Sequence, residues 1–359
     1  MGDEHAVRRT DLARLVADRD ADALLVTRLV NVRYLTGLDS SNAALLVRAD
    51  GPPVLATDAR YAGTAAEVCP DVELVVDRKA AEALLGRAAG GGARRVGFEP
   101  HALTVERHAD LAALDVGAEF APLGRPVEEL RYVKDEGEIA LIAEACAITD
   151  RAFEAILPSI RPGATEREIA VALERLMIDF GADDIAFASI VASGPNGAVP
   201  HHHPGARPVE SGDLVTLDFG ARYRGYNADM TRTVAVGTPA DWQRDVYDLV
   251  LSAQLAAVEA AVPGAETKAV DAAARDVVTA AGHGGDFTHG VGHGIGLEVH
   301  EAPLMGYDGT GKLRDRVPVT AEPGVYLAGR GGVRIEDTLV AREGGPERLT
   351  RTTKELLVL

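Results

Sequence analysis

Apolar residues return at helical spacing at the start of the chain, where Val7, Leu12, Leu15 and Val16 place a helix over residues 6–18. The short apolar run Ala23–Val26 reads as a strand. Asn42–Val47 and Pro53–Ala56 flank Ala49-Asp50-Gly51, the signature of a β-hairpin. Helices are predicted near 59–68, 79–89 and 104–114, with strands at Val72–Val76, Arg95–Phe98 and Val116–Phe120 between them. This alternation predicts an α/β N-terminal domain over residues 1–125. A break near Pro122–Pro126 opens a second domain, 126–359, which begins with a long helix from about Asp135 to Leu157.

The second domain repeats itself. Arg161-Pro162-Gly163-Ala164-Thr165 opens a helix that ends near Gly181, and Val262-Pro263-Gly264-Ala265-Glu266 opens another that ends near Gly282. Pro162/Pro263, Gly163/Gly264, Ala164/Ala265 and Gly181/Gly282 are all 101 residues apart. Thr165 and Glu168 fit a capping box for the first of these helices. Each half continues into apolar strands, Leu214–Phe219 and Met230–Val236, then Val317–Thr320 and Val333–Val340. The expected architecture is an α+β domain of two pseudo-twofold halves. Their helices pack on a curved antiparallel sheet, and a cleft lies between the halves.

Composition narrows the partners. Across 359 residues, 37 Lys+Arg face 55 Asp+Glu, a formal charge of −18, which argues against a broad nucleic-acid or anionic-membrane surface. Cys69 and Cys146 have no neighbours at metal-ligand spacing, so neither a disulfide scaffold nor a cysteine-rich zinc module is expected. The charged start Met1–Arg9 does not read as a secretory signal, and no apolar stretch reads as a membrane span. A cytoplasmic protein is the expectation.

Four stretches put polar residues where the pattern asks for core. Asp218 ends the apolar strand Leu214–Phe219, where an unpaired carboxylate is costly. Asp229 follows one turn later, so pairing of the two strands brings it beside Asp218. The third stretch runs from His289 to Glu301 and holds His293 and His300. The fourth is Glu322-Pro323-Gly324, followed by Arg334, Glu336 and Asp337. Taken singly, Asp218 is a turn or cap residue and Glu322-Pro323-Gly324 a turn. Taken together, Asp218, Asp229, Glu322 and Glu336 form an acidic set whose charge two divalent ions would neutralise. Oxygen donors with one or two imidazoles suit Mn²⁺, Co²⁺, Fe²⁺ or Zn²⁺. Paired metals of this kind serve hydrolysis. A zincin helix is excluded: Gly290 stands where its glutamate belongs, and the glycines resist a helix.

At these residues the sequence resembles the metallopeptidases with the pita-bread fold: aminopeptidase P, prolidase and methionine aminopeptidase. The resemblance spans residues 126–359. It implies Asp218, Asp229, His293, Glu322 and Glu336 as metal ligands, with Asp229 and Glu336 bridging two ions, and Glu322 as proton shuttle for a bridging water or hydroxide. It implies His201 and His300 as catalytic groups around the scissile carbonyl, and His289, Tyr226 and Arg334 as substrate-binding residues. His202 and His203 are read as spectators. Asn31–Gly37 resembles the early segment of the N-terminal domain carried by aminopeptidase P, prolidase and creatinase. Creatinase does not keep the metal ligands and is disfavoured.

The implied activity is that of a dinuclear-metal exopeptidase, Mn²⁺ first among the ions, acting on peptides with proline in second position. Such a bond is a tertiary amide without an N–H. Aminopeptidase P-like action ranks ahead of Xaa-Pro dipeptidase action, and a catalytically inactive binding module on the same fold is a remote third. The resemblance also implies a homodimer or higher homo-oligomer, with no nucleic-acid or membrane partner.

Overall fold

The computed structural model describes residues 2–359, with side chains from Glu4 onward. Contacts between Cα positions divide the chain into two compact units, one ending at Arg131 and the other spanning Tyr132–Leu359.

In the first unit six strands form one mixed sheet. From edge to edge they are Glu73–Val76, Val54–Thr57, Ala43–Arg48, Ala23–Val26, Arg95–Phe98 and Glu119–Pro122. The hairpin expected around Asp50-Gly51 is present, with Leu46 opposite Val54 and Gly51 at a positive φ of 117°. Leu25, Leu46, Val54, Leu84, Leu85 and Val96 are fully buried in this unit's core. One expectation shifts: the last strand begins at Glu119 rather than Val116. Leu29–Thr36, to which the pattern assigned no element, is a helix closed by Gly37 in the left-handed region. The helix Pro126–Arg131, assigned from sequence to the second domain, is tied to the first unit. Glu129 pairs with Arg19, Glu128 with Arg28 and His101, and Arg131 donates to Asn31.

The second unit opens with the helix Glu136–Ile156, started by a capping box between Asp135 and Glu138. The repeat then appears as expected. Helices Glu166–Asp179 and Thr267–Ala280 have 14 residues each, and Thr165 with Glu168 forms the expected capping box. The residues before each helix are held alike. Gly163 N donates to Val209 O and Val209 N to Ala164 O; Gly264 N donates to Leu313 O and Leu313 N to Ala265 O. Two equivalent backbone ladders, each made by the Gly-Ala pair of the repeat, are the mark of a duplicated unit. Each half has its own apolar core. One gathers Phe153, Leu173, Met177, Leu217 and Phe219; the other gathers Val250, Val270, Val278, Val319, Ile335 and Leu339. The helix Asp241–Ala260, which the sequence pattern did not single out, packs in the second core.

The curved antiparallel layer is built from several ladders. Ile190–Ser193, Leu214–Phe219 and Met230–Ala235 form one; Glu301–Met305, Gly292–Gly294, Val317–Ala321, Asp337–Ala341 and Glu347–Arg348 form another. They meet where Glu336 N donates to Thr231 O. The predicted strand Val333–Val340 is split into Gly331–Arg334 and Asp337–Ala341, and Ile335 and Glu336 lie in the gap. No helix among the described residues is long and apolar enough to cross a membrane.

A buried ion pair fastens this junction. Arg232 donates to Asp337 Oδ1 at 2.7 Å, to Thr352 O and Thr353 O at 2.9 Å, and to Glu336 O. Asp337 also accepts from Lys354, Gln254 and Thr350. Removing one partner leaves a buried charge unmatched, so Arg232→Met should lower stability by about 3–5 kcal/mol. Urea unfolding at matched metal content measures this, and a loss under about 1 kcal/mol, the level of a surface pair, would contradict it.

Candidate metal centre

Asp218 stands on the central strand Leu214–Phe219, directly opposite Thr231, and Asp229 lies two residues before Thr231. Side chains alternate across a strand, so Asp218 and Asp229 share a face. Gly220 allows this hairpin to close, since a Cβ there would fall 1.8 Å from Ala228 O. His293 comes from the short strand Gly292–Gly294, flanked by glycines for a steric reason: a Cβ on Gly292 would lie 2.2 Å from Thr320 O, and one on Gly294 would lie 2.3 Å from Ala302 O. Glu322 follows the strand Val317–Ala321, and Glu336 occupies the break before Asp337–Ala341.

Together these elements bring the acids and imidazoles into one cluster. Ligand atoms of Asp218, Asp229 and Glu336 lie within 4.8 Å of one another, as do those of His293, Glu322 and Glu336, and those of Asp229, His293 and His300. His293 Nε2 is 3.3 Å from Glu322 Oε1 and 3.6 Å from Asp229 Oδ2. Its Nδ1 meets Gly294 O at 3.1 Å, which makes Nδ1 the N–H and leaves Nε2 to face the acids. Asp218 Oδ1, Asp229 Oδ1 and Glu336 Oε1 are buried and lack any hydrogen-bond partner. Buried carboxylate oxygens are ordinarily satisfied. Three acids, each with one orphaned oxygen and with ligand atoms within 4.8 Å of one another, fit divalent cations, and His293 Nε2 beside them can join as a ligand once it gives up its proton. The residues that would hold them are Asp218, Asp229, His293, Glu322 and Glu336.

A polar frame orients the ligands. Thr231 Oγ1 donates to Glu336 Oε2 at 2.7 Å and accepts from Arg334 Nε at 3.1 Å. Thr338 Oγ1 donates to Asp229 O at 2.7 Å, and Thr320 Oγ1 accepts from His293 N at 3.1 Å. Arg334 is buried and donates to Asp218 Oδ2 at 2.6 Å. The charge sum drawn from the sequence omitted this guanidinium.

Burial and then the neighbouring carboxylates push Asp229 and Glu336 well above the usual carboxylate range. Burial also pushes on Glu322, but the hydrogen bond and charge of His293 prevail and hold it down at about 2. Burial lowers His293, and Glu322 more than reverses this, so His293 is raised. His289 and His300 are both lowered, chiefly by burial.

The remaining expected residues separate. His300 packs edge-on against His293, with ring centroids 4.3 Å apart. His201 is exposed on its loop, next in the chain to Pro200, whose carbonyl accepts from Arg334 Nη1 at 3.3 Å. His289 Nδ1 meets Gly290 O at 2.8 Å and Nε2 meets the Tyr326 hydroxyl at 2.7 Å. Tyr326 also accepts from Arg334 Nη1 at 2.8 Å, which leaves its proton for His289 Nε2 and fixes that ring as the neutral Nδ1–H tautomer.

Tyr226 corrects an expectation. Its hydroxyl donates to Glu138 at 2.9 Å, and its ring packs with Ile139, Ile142 and Cys146, a core position against the first helix of the unit. Tyr326 is the site residue the sequence reading missed. The signal was its place two residues beyond Gly324, on the same face, where the absent side chain makes room for the phenol: a Cβ on Gly324 would fall 2.4 Å from the Tyr326 hydroxyl oxygen.

Fold and cluster together define a metallopeptidase. The chain belongs to metallopeptidase family M24, whose profile matches residues 140–343, and it carries a creatinase/prolidase N-terminal domain that matches residues 8–133. An Xaa-Pro dipeptidase of Pyrococcus furiosus is 45% identical over 67% of this chain and 69% of its own length. The solved structure of an Xaa-Pro dipeptidase from Bacillus anthracis aligns with a TM-score of 0.95 at 37% identity, covering 99% of this chain and all (100%) of its own. An X-Pro aminopeptidase structure from Thermotoga maritima aligns with a TM-score of 0.89 at 34% identity, covering 96% of this chain and 100% of its own.

The raised acids give the metal-free centre a definite pH dependence. Asp229, Glu336 and His293 hold protons more tightly folded than unfolded. Their contribution is therefore complete at low pH and lost as the pH climbs through the raised values. Glu322 has the opposite sign but acts only below the ordinary carboxylate range. Stripped of metal, the protein should lose thermal stability as the pH rises above the ordinary carboxylate range, and saturating Mn²⁺ should remove most of that loss by displacing the protons. Melting curves across that rise in pH test this; parallel curves with and without metal would contradict it.

Proposed function

We propose that this protein is an Xaa-Pro peptidase that hydrolyses the bond between an N-terminal residue and a following proline. The observation that carries the reading is the gathering of Asp218, Asp229 and Glu336, each with one orphaned oxygen, beside His293 in a metallo-exopeptidase fold. The names of the relatives supply the proline specificity. Two of the three reported bear the name Xaa-Pro dipeptidase, which supports Xaa-Pro dipeptides as substrates and favours the dipeptidase reading that the sequence had ranked second. The Thermotoga maritima aminopeptidase favours the longer Xaa-Pro-Yaa peptides that the sequence had ranked first.

Divalent ions bound at these ligands, Mn²⁺ first among those the hard donors suit, would lower the pKa of an attacking water and polarise the scissile carbonyl. Our assignment of the chain's own groups follows from their surroundings. Glu322 has the most exposed carboxylate of the cluster, 18% against 12% for Asp218 and 6% for Asp229. It is thus the acid of the cluster most open to an incoming substrate, and we assign the proton transfer to it. His201 and His300 are both exposed, and a neutral ring at His300 is suited to hydrogen-bond a carbonyl oxygen as it gains charge. Arg334 donates to Asp218 and Tyr326 and so orients them. His289, whose pKa burial lowers, accepts from the Tyr326 hydroxyl and so shares the frame of Arg334.

Release of the first residue from Xaa-Pro and from Xaa-Pro-Yaa, with Xaa-Ala as control, measures the specificity. Glu322→Gln should lower kcat by about 10²–10⁴ with little change in melting temperature, the range for losing a general acid–base. Chelation should abolish turnover and Mn²⁺ restore it. Activity that survives both chelation and Glu322→Gln would overturn the reading.

A further inference from the structure

Glu166 is the first residue of the helix Glu166–Asp179, and its side chain is completely buried. It takes no part in that helix's capping box, which Thr165 and Glu168 complete by themselves. Its carboxylate instead collects five donors. Oε1 accepts from Ser193 N and Ser193 Oγ at 2.8 Å and from Asn196 Nδ2 at 2.9 Å. Oε2 accepts from His202 Nε2 at 2.8 Å and from Gly205 N at 3.1 Å. Burial opposes ionisation of this group, but the bonds from Asn196, Ser193 and His202 outweigh it.

All five donors lie in one segment, residues 193–205, and that segment carries His201. Its far side is held by the metal centre's own frame. Pro200 O accepts from Arg334 Nη1 at 3.3 Å, and Gly197 sits so close to the opposite strand that a Cβ would lie 3.1 Å from Gly332 N. The segment is therefore fixed between a buried anion on one side and Arg334 on the other.

The repeat offers an internal control. The equivalent position 101 residues on is Thr267, also buried and also first in a 14-residue helix. Its Oγ1 has no hydrogen-bond partner. The fold thus builds the same helix start without a carboxylate, and a fully buried charge is expensive to keep.

We propose that Glu166 is a positioning residue, whose buried carboxylate gathers residues 193–205 and so sets His201 against the metal centre. His202, read from the sequence as a spectator, is one of the ties. The proposal rests on the peptidase reading for the role of His201.

A double-mutant cycle in the full-length, Mn²⁺-loaded protein tests it. An amide accepts from one side only, so Glu166→Gln keeps the shape and loses half of the clamp. With an Xaa-Pro dipeptide, kcat should fall by about 10- to 100-fold and KM move less than about threefold, as for a displaced catalytic group. In the His201→Ala background the same substitution should cost less than about twofold, because the group it positions is gone. Amide hydrogen exchange over residues 194–204 should quicken, with metal content unchanged.

Losses that multiply across the cycle, or an unchanged kcat, would overturn the proposal. Should Glu166→Gln fail to fold, Asn196→Ala and His202→Ala each remove one donor and serve in the same cycle. If the unsubstituted protein cleaves no Xaa-Pro peptide, the peptidase reading falls, and the exchange measurement decides the clamp alone: unaltered exchange rejects it.

Discussion

Negative charge crowded into a buried place is the constraint around which the second unit is built. Asp218, Asp229 and Glu336 bring ligand atoms within 4.8 Å of each other, and each keeps one oxygen with no partner. Left alone, such a set holds protons it would not hold in water, as the raised Asp229 and Glu336 do. The surrounding frame satisfies the second oxygens of Glu336 and Asp218 and spares these three. Thr231 takes the second oxygen of Glu336, and Arg334 takes the second oxygen of Asp218. Saturating every oxygen with protein donors would stabilise the apo chain and remove its affinity for cations.

The duplicated architecture supplies the means. The first half delivers Asp218 and Asp229 from one tight hairpin, and the second delivers His293, Glu322 and Glu336 from three neighbouring strands. In both halves a carboxylate near the start of the repeated helix holds the segment that carries a histidine. Glu166 holds residues 193–205 in the first half. In the second half Asp271 accepts from Val291 N at 3.0 Å and pairs with Arg275, which donates to Phe287 O and His289 O. The two devices sit at different positions along their helices, so the halves share a scaffold while each positions its own loop.

Much of this was legible in the order of residues. The strands at Leu214–Phe219 and Met230–Ala235, the paired helices and the capping box at Thr165 follow from periodicity and cap chemistry, which act over a few neighbours. Asp218 stood out because an unpaired carboxylate at the end of an apolar strand is costly, and Asp229 because pairing of the two strands brings it alongside. Glu322, Glu336 and His293 were readable only as members of a spaced set. Less local features were lost. Tyr226 and Tyr326 look alike from sequence, each close to a ligand in the chain. One turns to Glu138 and the core, the other to His289 and Arg334, and the choice depends on which helix or strand lies opposite.

The sequence by itself therefore determined the elements and the duplication, which leave a periodic trace, while the acids and imidazoles were named by the resemblance that their spacing carries. Only the tertiary structure decided which oxygens stay unpaired, which histidine is neutral, and that Glu166, 35 residues before His201, belongs to its surroundings. Those outcomes depend on hydrogen bonds between segments remote in the chain, and partner choice at that range leaves no periodicity to read.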